Sequence, residues 1–264
     1  MIGLDEYGDR YQVVRFTRDA RGVLVAQLHT NGGPLEWGHT GGAHEELAEA
    51  FGFVARDPDN RVVIITGTGD RFCGPRASAA TFPQSTVKEW EVIQSHAFQL
   101  AWNLVSIDVP VISCVNGPAW RHVEIPLLAD VVLAADTATF QDTAHFVNDT
   151  VPGDGLQILM PLLLGFNRGR YFLLTGEEID ASEALRLGLV AEVMPVGDLL
   201  ARANELADTF LEHDDLVLRY TRRAIMQPLK EALLRAVPFG SALEGLSAVH
   251  ESNMRSRAAG GSIA

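Results

Sequence analysis

A chain of 264 residues that is 47% hydrophobic can bury one large core, with or without a smaller appendage. Its formal net charge of -13 argues against a general nucleic-acid binder, which needs a basic face. Its two cysteines, Cys73 and Cys114, lie far apart without the spacing of a zinc or redox pair, so we expect a reduced, intracellular protein.

No targeting segment is expected from the sequence. The first ten residues lack the apolar core of a signal peptide. The most apolar runs, 109–115 and 125–135, are short or are interrupted by Asp130, whereas a membrane span needs roughly 20 apolar residues. We therefore predict a cytoplasmic protein without membrane or nucleic-acid partners.

The first half of the chain alternates strand and helix patterns. Residues 62–65 form an unbroken β-branched run, which is typical of a strand covered on both faces. We predict strands at 11–16, 23–28, 62–65, 111–115 and 131–134, with helices at 43–54 and 87–105. This alternation predicts an α/β sheet with right-handed crossovers.

From Leu156 onward the patterns are mostly helical. Helices are predicted at 168–174, 181–187 and 198–211, with one short strand within 189–194. Pro238 and Gly240 predict a break in the last helical region. We expect an α/β core over residues 1–198 and a C-terminal helical region over 199–264 that ends in a frayed tail.

An imidazole and a carboxylate flank the turn at 151–153, just before an apolar segment predicted to be helical. A histidine that an aspartate orients can take a proton from water near neutral pH, so His145 and Asp154 form a candidate dyad. Two structural interpretations stay open. His145 could be a hydrogen-bonded structural histidine, and Asp154 could be a helix N-cap, a role compatible with the dyad.

Four motifs, at 63–73, 109–118, 130–140 and 174–190, resemble in sequence and order the crotonase (enoyl-CoA hydratase/isomerase) superfamily. The resemblance runs from about Tyr11 to Met254. It implies a crotonase-like ββα spiral core, a C-terminal helical region that packs in trimers, and an oxyanion hole built from two backbone N–H groups.

Three departures argue against ordinary enoyl-CoA hydration. Thioester-binding members carry Ala-x-Gly-Gly-Gly after an Asn-Gly pair, whereas this chain has bulkier residues around His122. The second oxyanion segment, 72–78, reads Phe-Cys-Gly-Pro-Arg-Ala-Ser instead of Phe-Cys-x-Gly-Ala-Asp. Ala144 lies about where hydratases often place a catalytic glutamate.

These departures resemble one branch, the 6-oxocamphor hydrolase type of β-diketone hydrolase, which cleaves a C–C bond by a retro-Claisen reaction. The matching features are Trp37 after 32–36, His122 before Glu-Ile-Pro, His145 before Phe, the Asp154 segment, the segment 167–176, and Glu244 in the corresponding C-terminal helix. The resemblance implies that a small cyclic diketone is the substrate and that a homotrimer or a dimer of trimers forms.

The roles implied by the resemblance suit the side chains. His145 and Asp154 would activate water, and Glu244 would position it or return a proton to the enolate carbon. His122 and the Trp37 indole N–H would bind the substrate by donating hydrogen bonds to its ketone oxygens. No metal or organic cofactor is expected.

Alternatives remain for the other candidates. His122 could face solvent on a loop, and Trp37 could be a core or interface aromatic. Helical periodicity alone places Glu244 on a solvated face. Glu124 could be a site acid or a partner of Arg121. His39 and His44 flank no recognisable constellation.

At the level of function, the alternatives are a divergent crotonase acting on an acyl-CoA thioester and a catalytically inactive crotonase-like oligomer.

Overall fold

Strands and helices alternate along the first half of the computed structural model, which describes residues 2–37, 42–76 and 86–258. The strands are β1 (Val14–Arg18), β2 (Val23–Leu28), β3 (Leu35–Glu36), β4 (Val62–Thr66), β5 (Cys73–Gly74), β6 (Val111–Val115), β7 (Val131–Ala135), β8 (Thr139–Phe140), β9 (Ile179–Asp180) and β10 (Glu192–Met194). The helices are α1 (Leu4–Tyr7), α2 (Ala43–Val54), α3 (Val87–Val105), α4 (Glu124–Leu127), α5 (Leu156–Leu164), α6 (Phe166–Thr175), α7 (Ala181–Leu187), α8 (Leu199–Leu211) and α9 (Asp215–Ala258).

A six-stranded sheet in the order β1-β2-β4-β6-β7-β10 forms the centre of the molecule. Only β1 runs antiparallel to its neighbour, and the other pairs are parallel. Every residue of β4 and β6 is buried. This agrees with the apolar, β-branched pattern, which is typical of strands covered on both faces of a sheet. The predicted α/β class is thereby confirmed.

Two short ladders build a second layer that carries the candidate site. Strand β3 pairs in parallel with β5, and β8 pairs with β9. Ala119 bridges Cys73 on one ladder and Phe140 on the other. The end of β3, the chain around Ala119 and the loop after β8 therefore lie side by side, although they are far apart in sequence.

The last helix, α9, is continuous through Pro228 and Pro238, so the predicted break at Pro238 and Gly240 is wrong. Tertiary packing outweighs local helix propensity here, because α9 lies against α3 and α5. Gly240 serves this packing instead: a Cβ there would lie 3.1 Å from the Cα of Gly153. Its missing side chain lets the helix approach the loop before α5.

Length and composition alone would allow α9 to cross a membrane, since a window within Asp215–Ser256 has a mean hydropathy of 1.2. The window is weak evidence for a span, because core helices of soluble proteins pass the same test and 39% of it is buried in the protein. The expected absence of a membrane partner therefore stays a prediction. The polar contacts of α9 described next lie within the protein.

One buried arginine links α9 to the sheet by an ion pair and hydrogen bonds. Arg222 is only 2% exposed, and its Nε donates to Asp130 Oδ2 over 2.6 Å. Its guanidinium also donates to the carbonyl oxygens of Val105 and Ile107, at the C-terminal end of α3. The same Asp130 oxygen accepts the backbone N–H of Val111 at 2.7 Å. This single side chain thus joins α9, α3 and the edge of β6.

Candidate active site

All five sequence-predicted site residues meet in one buried cluster. They come from the end of β3, the chain before α4, the loop after β8, the start of α5 and the middle of α9. Each is less than a tenth exposed: Trp37, His122, His145, Asp154 and Glu244. The surface alternatives for His122 and Glu244 therefore do not apply within the described residues.

His145 is oriented by Asp142, a residue that is not among the sequence-predicted site residues. The ring Nδ1 lies 2.9 and 3.0 Å from the two carboxylate oxygens of Asp142. Asp142 is itself held by the backbone N–H groups of Ala144 and His145. This pairing keeps a proton on Nδ1 and directs Nε2 away from Asp142. The sequence predicts Asp154 as the orienting carboxylate, whereas the structure places Asp142 at Nδ1.

Asp154 lies on the opposite side of the imidazole ring. Its Oδ2 is 3.5 Å from His145 Nε2, and the Glu244 Oε1 is 3.3 Å from the same nitrogen. The other oxygen of Asp154 accepts the backbone N–H of Leu156 at 3.3 Å, at the start of α5. The contact with the Leu156 backbone and the contact with His145 therefore coexist, although the N-cap of α5 is Gly155 and not Asp154, so the expected capping role is wrong. Two carboxylates thus face the nitrogen that would exchange a proton with water.

Glu244 reaches His145 because two glycines let backbones approach closely. A Cβ on Gly153 would lie 2.4 Å from the carbonyl oxygen of Gly240 and 2.7 Å from Glu244 Oε2. Any side chain at position 153 would therefore push α9 away from the loop. Helical periodicity indicated a solvated Glu244, and this close approach is why the glutamate is buried within its own chain.

His122 forms a second imidazole–carboxylate pair, with Glu124. His122 Nδ1 lies 2.6 Å from Glu124 Oε1 and 3.8 Å from Asp154 Oδ2. The backbone of His122 has a φ of 50°, a left-handed conformation that is uncommon for a non-glycine residue. Such outliers concentrate at functional sites. Glu124, for which the sequence left two roles open, therefore lies inside the site.

Trp37 packs on His122 and turns its indole N–H elsewhere. The two ring centroids are 3.8 Å apart, and the indole Nε1 donates to His44 Nδ1 at 3.3 Å. The predicted bond from this N–H to a ketone oxygen therefore has a competitor. The ring of His44, which is not among the sequence-predicted site residues, lies with its centroid 4.6 Å from that of His122. His39 falls outside the described residues.

The electrostatics of the cluster separate its two histidines. Burial by itself would lower the pKa of His145, but the charges of Asp142 and Asp154 outweigh it and hold that pKa well above the ordinary 6.5. Burial lowers the pKa of His122 well below the ordinary value, so this ring is neutral. Burial also raises the pKa of Asp154 and of Glu244 to about 7. Asp154 and Glu244 therefore each change their protonation state near neutral pH.

A pH dependence follows from the raised pKa of His145. The neutral form, which can accept a proton, becomes more populated as pH rises through that pKa. We expect kcat for the reaction proposed below to rise with pH above 6.5. A steady-state pH profile measures this limb. A rate that is already maximal well below pH 6.5 would contradict the role of His145 as base.

Among the described residues, one set could hold a divalent cation. His122, Glu124 and Asp154 each present one ligand atom, and these atoms lie within 4.8 Å of one another. One imidazole and two carboxylates form a donor set that zinc accepts. The expected independence of metal stays a prediction that metal analysis of the purified protein would check.

The family model for enoyl-CoA hydratase/isomerase matches residues 40–255 of this chain. Among curated proteins, the chain is similar to the short-chain-enoyl-CoA hydratase of Clostridium acetobutylicum, with 27% identity over 203 residues, 75% of this chain and 76% of that protein. It is also similar to the crotonyl-CoA hydratase of Syntrophomonas wolfei, with 28% identity over 205 residues, 76% of this chain and 77% of that protein.

Solved structures extend the comparison. A β-diketone hydrolase from the cyanobacterium Anabaena, bound to (S)-3-oxocyclohexyl acetic acid, is 42% identical, with a TM-score of 0.88 and coverage of 93% of this chain and 97% of that one. An enoyl-CoA hydratase/isomerase from Mycobacterium paratuberculosis is 23% identical, with a TM-score of 0.83 over 92% of this chain and 96% of that one, and shows the fold alone. With a matching fold and a family model that spans most of its length, the chain belongs to the enoyl-CoA hydratase/isomerase family, within the crotonase superfamily.

Proposed function

We propose that the protein is a hydrolase that cleaves a C–C bond of a cyclic β-diketone by a retro-Claisen reaction. The observation that carries the proposal is the arrangement around His145, whose Nδ1 is bound to Asp142 while Nε2 faces Asp154 and Glu244. A histidine held in this way can take a proton from water. The 42% identity with the Anabaena β-diketone hydrolase supports the substrate class.

The proposed reaction needs water as its only co-reactant. His145 Nε2 takes a proton from water, and the water oxygen bonds to one ketone carbon, whose C=O electron pair moves to oxygen. When that pair returns, the bond to the carbon between the two ketones breaks and its electrons form the enolate of the second ketone. Glu244, whose pKa is raised to about 7, gives a proton to that carbon and regains one from His145 Nε2, which lies 3.3 Å from its Oε1, so both groups return to their starting states. Diketone and water together equal the keto acid product.

The aromatic wall of the site suits an apolar ring. Trp37, His122 and His44 lie in mutual ring contact, and a pocket for a small apolar ligand has few polar groups among such surfaces. We propose that His122 donates a hydrogen bond to a ketone oxygen. Its low pKa keeps the ring neutral, and the N–H of a neutral ring can stabilise the negative charge that develops on that oxygen. Because its N–H faces His44, Trp37 contributes chiefly shape.

The activity assay for this function depends on which diketone is used as the substrate. A 1,3-diketone with a hydrogen between its ketones loses that proton to a base and becomes an unreactive enolate. Bridged or 2,2-disubstituted cyclic diketones avoid this, and we expect the protein to convert at least one of them to a keto acid, detected by mass spectrometry. Crotonyl-CoA is the matched control. Efficient hydration of crotonyl-CoA with no diketone cleavage would overturn the proposal.

A second candidate function is the processing of an acyl-CoA thioester. The names of the curated relatives favour it, since they include a short-chain-enoyl-CoA hydratase and a crotonyl-CoA hydratase. Calorimetric titration with coenzyme A separates the two, because a diketone hydrolase has no use for the nucleotide. Turnover of either substrate would remove the interpretation of the protein as an inactive structural subunit.

We further propose that the chain assembles as a trimer or a dimer of trimers. Large apolar side chains lie exposed on α5, α6 and α9: Leu162, Phe166, Phe239 and Leu246. Surfaces of this kind are commonly covered in closed symmetric assemblies. Light scattering at micromolar concentration should give three or six times the mass of one chain, and Leu246→Glu should lower it. A monomeric mass for the unaltered protein would refute the assembly.

The cytoplasm is the compartment that we propose for this enzyme. Cys73 and Cys114 are both free and buried, which suits a reducing environment. The net charge of -13 supports the expectation of no nucleic-acid partner. Cell fractionation followed by immunoblotting would test the location, and recovery in the membrane fraction would contradict it.

A further inference from the structure

Three side chains with metal-binding atoms meet beside His145 from two separate parts of the chain. We propose that His122, Glu124 and Asp154 bind one zinc ion, and that zinc bound there inhibits the enzyme. The zinc site is a property of the free protein, whereas the inhibition rests on the proposed function. Zinc is an inhibitor here and not a cofactor, so the metal-free enzyme is the active form.

The ligand atoms of the three side chains lie close enough to share one ion. One nitrogen or oxygen atom from each lies within 4.8 Å of the other two. His122 Nδ1 is 2.6 Å from Glu124 Oε1 and 3.8 Å from Asp154 Oδ2. Two ligands of a tetrahedral zinc ion, each about 2.0–2.1 Å from the metal, are roughly 3.3 Å apart. Small side-chain rotations therefore suffice to place the ion among them.

Two carboxylate oxygens of this cluster are buried without a hydrogen bond. Glu124 Oε2 and Asp154 Oδ2 have no hydrogen-bond partner within the part of the chain that the structure describes. The two residues are only 3% and 4% exposed. A buried acceptor without a partner is destabilising, because it has lost its contact with water and gained nothing in return. One bound cation would satisfy both oxygens.

Contacts outside the cluster already hold two of the ligands in place. Asp154 Oδ1 accepts the backbone N–H of Leu156 at 3.3 Å, which leaves Oδ2 for the ion. The His122 ring packs against the indole of Trp37, with 3.8 Å between the ring centroids. Supporting contacts of this kind orient metal ligands and thereby raise the affinity of a site.

The mixture of donor atoms favours zinc over magnesium. An imidazole nitrogen is a good ligand for zinc, whereas magnesium and calcium take oxygen ligands almost alone. Three protein ligands with one position left open is also an arrangement that zinc adopts. Magnesium, which has the same charge, is therefore the matched control ion.

The position of Asp154 explains why bound zinc inhibits. Its Oδ2 lies 3.8 Å from His122 Nδ1 and 3.5 Å from His145 Nε2, so an ion bound to this oxygen lies beside both imidazoles. In the proposed reaction, water is activated at His145 Nε2 and a ketone oxygen binds at His122. Zinc and the diketone therefore compete for the same space.

Calorimetric titration of the metal-free protein with zinc chloride tests the site without any substrate. We expect one tightly bound zinc ion per chain and no binding of magnesium at the same concentration. Glu124→Gln and Asp154→Asn should each weaken zinc binding by more than about 100-fold, since loss of even a residue behind the ligands costs about 10–100-fold. Asp142→Asn is the control, because that carboxylate contacts His145 and not the ion, and it should retain most of the affinity.

Several results would overturn the zinc site. They are absence of zinc binding, equal binding of magnesium, and an unchanged affinity in both Glu124→Gln and Asp154→Asn. X-ray absorption of the zinc-loaded, unaltered protein should show only nitrogen and oxygen neighbours, and a sulfur neighbour at about 2.3 Å would place the ion on a cysteine instead. This measurement stands even if the variants do not fold.

Steady-state kinetics with a cyclic diketone test the inhibition. Added zinc should raise the apparent KM and leave kcat unchanged, and a chelator should restore the original rate. Loss of activity in the chelator alone, or full activity of the zinc-loaded protein, would overturn the inhibition. Zinc binding by a protein whose metal-free form cleaves no diketone would overturn the proposed function and with it the inhibition, while the zinc site stands.

Discussion

Replacement of His145 with alanine should lower kcat by about 10²–10⁴-fold, the range that follows loss of a general base. The reason is geometric, since no other imidazole in the described residues has one nitrogen bound to a carboxylate and the other facing Asp154 and Glu244. Circular dichroism should show that the fold survives. A folded His145→Ala protein with undiminished turnover would contradict the proposed mechanism.

The two aspartates around this histidine should respond differently to substitution by asparagine. In Asp142→Asn, the charge that raises the pKa of His145 is lost, so kcat should fall and its rising limb should move to lower pH. In Asp154→Asn, stability should be nearly unchanged, because the side-chain oxygen of asparagine can still accept the backbone N–H of Leu156, while kcat falls. His145→Ala combined with Asp154→Asn should be scarcely worse than the worse single variant. Near-normal turnover in Asp154→Asn would leave Asp154 only its contact with the backbone N–H of Leu156.

Among single substitutions at buried positions, we expect Arg222→Met to lower the free energy of unfolding the most. The substitution leaves the carboxylate of Asp130, 11% exposed, without its charged partner, and it removes the donors to the carbonyl groups of Val105 and Ile107. Breaking a buried pair from one side typically costs about 3–5 kcal/mol. Urea denaturation followed by circular dichroism should show the free energy of unfolding reduced by that amount.

The adjacent residue provides a matched control. Arg223 pairs with Asp108, but its side chain is 54% exposed. Exposed pairs contribute about 0–1 kcal/mol, because water screens the charges. Arg223→Met should therefore scarcely change the denaturation midpoint. Equal effects of the two substitutions would show that burial of the Arg222 contact does not matter to stability.

Much of the fold could be predicted because local pattern and tertiary environment agree. The run at 62–65 is entirely β-branched, β6 is rich in β-branched residues, and both lie fully buried between neighbouring strands. Helices α2, α3 and α7 begin and end where apolar spacing indicated. The error at Pro238 has the opposite origin. A rule about a missing N–H is local, and contacts with α3 and α5 keep α9 helical across that position.

The site was only partly predictable for a similar reason. Asp142 lies three residues before His145 on one loop, so the spacing itself was available as a signal. His44 was not accessible in this way, because its contact with Trp37 depends on how α2 packs beside the end of β3. The burial of Glu244 depends on backbone approach at Gly153 and Gly240, and no helical periodicity reports such an approach.

The unbroken course of α9 has a thermodynamic consequence. Glu244 points inward to His145, while Leu246, two residues later, lies exposed on the outer side. In the proposed assembly, a neighbouring subunit that covers Leu246 also restrains the acid in the site. Two binding events that act on one rigid element share a coupling free energy, and that coupling is reciprocal. A ligand that contacts Glu244 should accordingly strengthen subunit association by the same factor by which assembly improves its affinity.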